Sequence, residues 1–128
     1  MALSGAQAGA AGASITCTTI TGNGTGLLVI SGCSGGVTGG ASLPVSGAAL
    51  AAGGTINWIS GSSTTIAPPV LVPTSAKKCK VAGSTADKLT AGVVADIGDG
   101  IKVPGVAKGA VCIDPNLNIS ILKALKIK

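Results

Sequence analysis

Apolar and polar residues alternate along much of this chain, in short runs separated by turn-forming residues. Alternation with a period of two is typical of a β-strand that buries one face. It is clear at Thr55–Ser60, Ile101–Val103 and Leu117–Ile121. Eight to ten such runs, with regular turn signals between them, predict an all-β fold. The expected architecture is an antiparallel β-sandwich or a small β-barrel with short glycine-rich hairpin loops.

The strongest hairpin signal lies between Cys17 and Cys33, where two β-rich runs flank an Asn-Gly turn. A two-residue loop at Asn23 and Gly24 would place the two cysteines on opposite faces, so a disulfide would then require a bulge or a change of sheet. A five-residue loop, Gly22–Gly26, would place them on one face as diagonal neighbours. We favour the longer loop and predict a Cys17–Cys33 disulfide.

The chain has four cysteines and no histidine, which favours disulfides over a zinc site. Four cysteines allow three pairings, and a Cys17–Cys33 bridge leaves Cys79 to pair with Cys112. Each bridge would stabilise the fold by roughly 3–4 kcal/mol in the chain-entropy treatment. The alternative is four reduced, buried cysteines in a cytosolic protein.

Other segments carry more local signals. Ala48–Ala52 is the best helical candidate and is followed by Gly53-Gly54. Pro68 and Pro69 cannot donate to a sheet ladder, so they predict an edge or a bend. The final segment, 122–128, fits a strand or a helix, and we predict mainly strand because its neighbours are strands.

The chain divides into an amino-terminal lead and one domain. Residues 1–13 are rich in Ala and Gly and predict a flexible lead or an edge strand, similar to the region around a signal-peptide cleavage site. Residues 14–128 have the length of a single β domain.

Composition narrows the possible functions. The chain has no Phe, no Tyr and no Arg, and its net charge is +5. Without Arg for guanine contacts or aromatic residues for base stacking, nucleic acid is an unexpected partner. No apolar run approaches the roughly 20 residues of a membrane-spanning helix, so no transmembrane helix is expected. The positive charge could attract anionic headgroups or acidic polymers.

Catalytic chemistry finds little support, and no enzyme activity or cofactor is expected. Without histidine the chain lacks the usual base of a catalytic triad. Asp96 and Asp99 flank Gly98, which predicts turn residues, with a calcium site as the alternative and no other metal site expected.

Two further features are candidates for binding. Lys77, Lys78 and Lys80 surround Cys79 and predict a solvated loop or, alternatively, a contact with an anion. Trp58 predicts a core residue or, alternatively, an exposed contact for a ligand.

Four short motifs resemble a group of small secreted actinobacterial proteins. They are Ser14–Cys17, the Leu28–Cys33 strand end, Ala51–Trp58 with its Gly-Gly-Thr-Ile pattern, and Gly109–Cys112. The resemblance covers residues 14–128 and implies export, disulfides and a β fold, but no activity.

These observations favour a non-enzymatic secreted or cell-envelope domain. An aliphatic interior without aromatic bulk can leave a small barrel hollow, so we expect it to bind an apolar small molecule or an envelope lipid. The alternative is a structural, self-associating subunit of the cell surface or of a filament, a homo-oligomer built through weakly charged strand edges.

Overall fold

The computed structural model describes residues 13–128, of which the ordered elements are almost entirely β. The described residues are 57% strand and 4% helix, and their antiparallel sheet is nearly closed, so the all-β prediction is confirmed. Residues 1–12 of the predicted lead lie outside the described residues. Ala13, at the end of that lead, donates its backbone N–H to the carbonyl of Gly100 at 2.9 Å.

Nine strands and one short helix, α1 (Gly47–Ala51), make up the described part of the chain. The strands are β1 (Ile15–Gly22), β2 (Leu27–Ser34), β3 (Val45–Ser46), β4 (Thr55–Asn57), β5 (Ser63–Ile66), β6 (Val70–Thr74), β7 (Thr85–Ile97), β8 (Gly105–Ile113) and β9 (Ile119–Ile127). Helix α1 overlaps the predicted helical segment, and Ser46 caps it by accepting from the N–H of Ala49. The segment 122–128 is strand through Ile127, as predicted.

The strands follow the order β3-β2-β1-β9-β8-β7-β5-β4 in one sheet. The segment 41–43 joins its two ends: the N–H of Ser42 donates to Ile30 of β2, and the N–H of Leu43 donates to Asn57 of β4. We call this the closed end of the barrel. It also contains the connection 98–104 between β7 and β8.

The opposite end is not sealed by strand pairing. The long strand β7 pairs with β5 along its second half and with β6 along its first half. Among the strands in residues 13–128, β6 pairs with β7 alone. Helix α1 and β6 lie on either side of this unpaired end of the sheet, which we call the open end of the barrel.

The hairpin of β1 and β2 has a register that neither sequence prediction gives. Gly22 pairs with Leu28, and Cys17 directly faces Cys33 with a Cα–Cα distance of 4.0 Å. The expectation of an odd-length loop with both cysteines on one face is right, but the diagonal pairing is wrong. Asn23 sets this loop, because its Oδ1 accepts from both the N–H and the hydroxyl of Thr25.

The two disulfides are Cys17–Cys33 and Cys79–Cys112, as predicted. The first joins β1 to β2, and Cys17 is fully buried in the core. The second ties the segment 75–84 to β8 at Cys112. The first bridge therefore lies within a paired ladder, whereas the second fixes a non-strand segment to the sheet.

The core of the described residues consists of aliphatic side chains together with Trp58 and Cys17. Its largest members come from six strands and two connections: Ile15, Ile30, Ile56, Trp58, Ile66, Val93, Ile101, Leu125 and Ile127. Ile101 lies in the 98–104 connection, so the predicted strand Ile101–Val103 is wrong. Its N–H donates to Asp96 instead of to a neighbouring strand, which keeps the segment in a turn. No helix within residues 13–128 is long and apolar enough to cross a membrane.

Candidate functional site

A cavity of about 150 Å³ lies inside the barrel at the open end. Its inner wall consists of core side chains, including Ile30, Ile56 and Leu125. Its outer wall includes Ile119 and Ile121, which alternate inward along β9. The cavity is therefore continuous with the hydrophobic core.

The cavity exists because the interior side chains are too small to fill the barrel. Within the part of the chain that the structure describes, no aromatic residue lines it, and β8 contributes Ala107 to its wall. Trp58, the largest side chain available, lies in the core at the closed end and does not reach the cavity. The sequence-based expectation of a hollow interior agrees with this cavity, although the sequence did not identify the lining residues.

The mouth of the cavity lies between α1 and β6. Leu50 is half-buried and Ala51 is exposed on the helix side, and Leu71 is 48% exposed on the strand side. The start of α1 is held against the β1–β2 loop, because Gly47 donates its N–H to the carbonyl of Gly26 at 2.9 Å.

Among residues 13–128, the cavity lining is apolar apart from Lys123. An engineered, enclosed apolar cavity of similar volume stays dry and accepts benzene or xenon, whereas the cavity here also opens to solvent at its mouth. Recognition here would therefore depend on shape and apolar contact, because the lining offers almost no hydrogen-bonding group to orient a ligand.

The closed end contains polar groups that hydrogen-bond to one another. Asp99 is only 3% exposed, and its Oδ1 accepts from the N–H of Val37 at 2.8 Å and from the hydroxyl of Ser62 at 2.9 Å. Asp96 Oδ2 accepts from the N–H groups of Asp99 and Ile101, both at 3.2 Å. These contacts agree with the turn-stabilising roles predicted for Asp96 and Asp99. They also show that the Asp99 carboxylate is buried and hydrogen-bonded to two distant segments, which the local sequence pattern could not reveal.

Trp58 belongs to the same network. It is 1% exposed, and its Nε1 donates to Thr64 Oγ1 at 3.0 Å, while that hydroxyl donates to Asp96 Oδ1 at 3.3 Å. Burial raises the pKa of Asp96, and the negative charge of Asp99 raises it further. Trp58 is thus a core residue, and the alternative of an exposed ligand contact does not apply.

The alternative of a calcium site at Asp96 and Asp99 receives no support. Across residues 13–128, no group of three or more Cys, His, Asp or Glu side chains is placed to hold a metal ion. Asp99 Oδ2 is buried and has no hydrogen-bond partner in the part of the chain that the structure describes.

The lysine cluster predicted from sequence lies in the segment 75–84. Lys77, Lys78 and Lys80 are all exposed. Lys78 and Lys80 line a second, more polar pocket of about 250 Å³ beside the Cys79–Cys112 disulfide. Asp114 lines the same pocket. Contact with an anion at this cluster stays a prediction.

Comparison with known proteins finds no family model, no curated protein and no solved structure that matches this chain.

Proposed function

We propose that this chain is a non-enzymatic β-domain that binds an apolar small molecule, or the apolar end of a lipid, in the cavity at its open end. The single observation that carries this proposal is an apolar cavity of about 150 Å³, continuous with the core, whose mouth includes exposed residues. Transfer of a hydrocarbon from water into such a space is favourable without any polar contact.

The size of the cavity limits the ligand. A cavity of this volume accepts a compact molecule about as large as benzene, or the last carbons of one acyl chain. A larger lipid would therefore leave most of its length outside the mouth between α1 and β6.

Export to an oxidising compartment fits the two disulfides, because such bonds form and persist there and are rare in the cytosol. We therefore place the domain outside the cell or at its envelope. This assignment also follows the resemblance to small secreted actinobacterial proteins.

The test is thermal unfolding of the oxidised protein with benzene or n-hexane present. Ligand that binds only the folded state stabilises it by about 2.7 kcal/mol at a hundredfold excess over Kd, so the unfolding temperature should rise with ligand concentration. The variant Ala51→Leu places a larger apolar side chain at the mouth and should abolish that rise.

Ala48→Leu is the matched control, because Ala48 is exposed on the same helix and does not line the cavity. It should respond to benzene as the original protein does. An original protein whose unfolding temperature is unchanged by both hydrocarbons, or an Ala51→Leu variant that responds fully, would overturn the proposal.

One observation supports the alternative of a structural, self-associating subunit. The outer edge of β6 is not paired with another strand of residues 13–128, and an unpaired edge can accept a strand from a second copy. Sedimentation velocity over a wide concentration range tests this alternative. A monomer at every concentration would remove it.

A further inference from the structure

Five of the nine lysines share one outer face of the barrel, formed by β7, β8 and β9. In the register of these strands Lys108 directly faces Lys126, and Ala110 lies between Lys88 and Lys123. Val106 exchanges two backbone hydrogen bonds with Lys128 in the next row. We call this set the lysine face; its members, all exposed, are Lys88, Lys108, Lys123, Lys126 and Lys128.

Two irregularities in β9 bring Lys123 to this face. The pairing of β8 with β9 shifts by one residue on each side of the Ala110–Lys123 pair, and each shift leaves one extra residue in β9. Strict alternation would place Lys123 on the same side as Ile121 and Leu125, towards the core. Bulges of this kind redirect side chains, and here they add Lys123 as the fifth lysine of this face.

The charges on the lysine face are not balanced locally. Like charges directly opposite each other in a β-sheet destabilise it, and Lys108 and Lys126 form such a pair. The groove beside them, about 510 Å³, is lined by four of these lysines together with Val106 and Ala124, and by no carboxylate side chain. Asp87, the neighbour of Lys88 in sequence, alternates to the other face of β7. An anionic partner would remove this repulsion.

Exposed aliphatic side chains continue the same face. Val70 and Val72 of β6 pair with Thr90 and Lys88, so they lie on the lysine side of the sheet. They are 63% and 52% exposed. A surface that combines ammonium groups with exposed aliphatic side chains suits the boundary of an anionic bilayer, where both kinds of group are satisfied.

We propose that the lysine face, with Val70 and Val72, docks this domain onto an anionic lipid bilayer. The lysines attract the headgroups as point charges, which need no fixed bidentate geometry. The two valines contact the boundary between the headgroups and the acyl chains. A soluble acidic polymer would neutralise the lysines but would leave both valines in water. The docking surface shares Lys123 with the lining of the cavity, but its other members do not line the cavity, so docking does not require the cavity to be occupied.

The test is co-sedimentation with vesicles of phosphatidylcholine alone and with vesicles of phosphatidylcholine and phosphatidylglycerol in equal amounts. The protein should bind the second kind, and added salt should weaken binding. Each lysine near an anionic surface contributes about 1 kcal/mol, so Lys108→Gln/Lys126→Gln should weaken partitioning about thirtyfold. This variant removes a repulsive pair, so its unfolding temperature should be unchanged or higher.

Lys77→Gln/Lys78→Gln is the matched control, since it has the same net charge but alters lysines outside the lysine face. It should keep partitioning within about threefold of the original value. The variant Val70→Ser/Val72→Ser should weaken vesicle binding roughly tenfold. The binding that remains should be more sensitive to salt, because it depends on the lysines alone.

Three results would overturn the proposal. Equal losses in the two lysine variants would mean that net charge alone governs binding. Equal binding to both kinds of vesicle would exclude headgroup attraction. A serine variant that binds vesicles normally but no longer self-associates in sedimentation would assign the valines to a second copy of this chain.

Discussion

The two ends of this barrel use the same sheet in opposite ways. At the closed end, Asp99, Ser62, Thr64 and Trp58 are buried and joined by hydrogen bonds, and the segment 41–43 connects the sheet edges. At the open end the interior is apolar and contains a cavity. The closed end is specified by directional bonds, because a buried polar group without a partner is costly. Around the cavity at the open end the side-chain contacts are mainly apolar and non-directional, and such contacts tolerate a void.

This difference predicts where substitutions will matter. Loss of a partner at the closed end leaves a buried donor or acceptor unsatisfied, whereas loss of a methyl group at the open end enlarges a cavity that already exists. Stability should therefore depend more on a few polar atoms than on the apolar mouth. The single tryptophan reports unfolding directly, because it belongs to the closed end.

The largest effect is expected for Asp99→Ala. It removes the acceptor for the N–H of Val37 and for the hydroxyl of Ser62, which should lower the free energy of unfolding by about 2–4 kcal/mol. Urea unfolding followed by Trp58 fluorescence measures this. Asp99→Asn keeps an oxygen in the accepting position and should lose less than half as much. Equal losses in both variants would contradict the role assigned to these hydrogen bonds.

Thr64→Val should have the next largest effect. It leaves the indole N–H of Trp58 without its acceptor in a fully buried site, at a cost of about 1–3 kcal/mol in unfolding free energy. Thr64→Ser keeps the hydroxyl and serves as the control in the same urea experiment. If the valine variant is as stable as the serine variant, the hydrogen bond does not stabilise the closed end.

Leu71→Ala tests the open end. Leu71 lines the mouth of the cavity and is already 48% exposed, so its truncation should cost less than about 1.5 kcal/mol. Differential scanning calorimetry provides the measurement, and Val70→Ala on the opposite face of β6 is the control. A loss as large as that of Asp99→Ala would show that the mouth is as tightly specified as the closed end.

The smallest effect concerns pH. Because burial raises the pKa of Asp96 above its ordinary value of 3.8, the folded protein holds this proton more tightly than the unfolded chain. Its contribution to stability is therefore present below pH 3.8 and is lost as the pH rises through the raised pKa. Stability, measured as the urea midpoint, should therefore fall with rising pH through this range, and Asp96→Asn should remove this dependence on pH.

Asp114 provides a contrast of opposite sign. It lies beyond β8, and the N–H of Asn118 lowers its pKa from 3.8. Its contribution is present above that value and is lost as the pH falls through the lowered pKa. Asp114→Asn should therefore remove a rise of the urea midpoint with increasing pH. Identical slopes in the two variants would contradict both assignments.

Local pattern predicted much of this fold, and the errors have a common origin. Asn-Gly and the alternation around Cys17 and Cys33 correctly indicate a hairpin. The odd-length loop, favoured because a disulfide requires both cysteines on one face, is also confirmed. The exact pairing depends on side-chain bonds of Asn23 inside the loop, which spacing does not reveal. Ile101–Val103 alternates as a strand does, yet the Asp96 carboxylate captures the N–H of Ile101 and holds it in a turn.

The sequence by itself determined an all-β domain with an interior of small side chains, because period-two alternation, turn residues and composition are local properties. It also favoured the correct disulfide pairing among three, since the hairpin suggested Cys17–Cys33 and left Cys79 for Cys112. Only the tertiary structure decided that Asp99 is buried, that the void lies at one end, and that Lys88, Lys108 and Lys126 share a face. These features depend on the register between strands that are distant in the chain. That register is set by hydrogen bonds and bulges across the whole sheet, so no single segment encodes it.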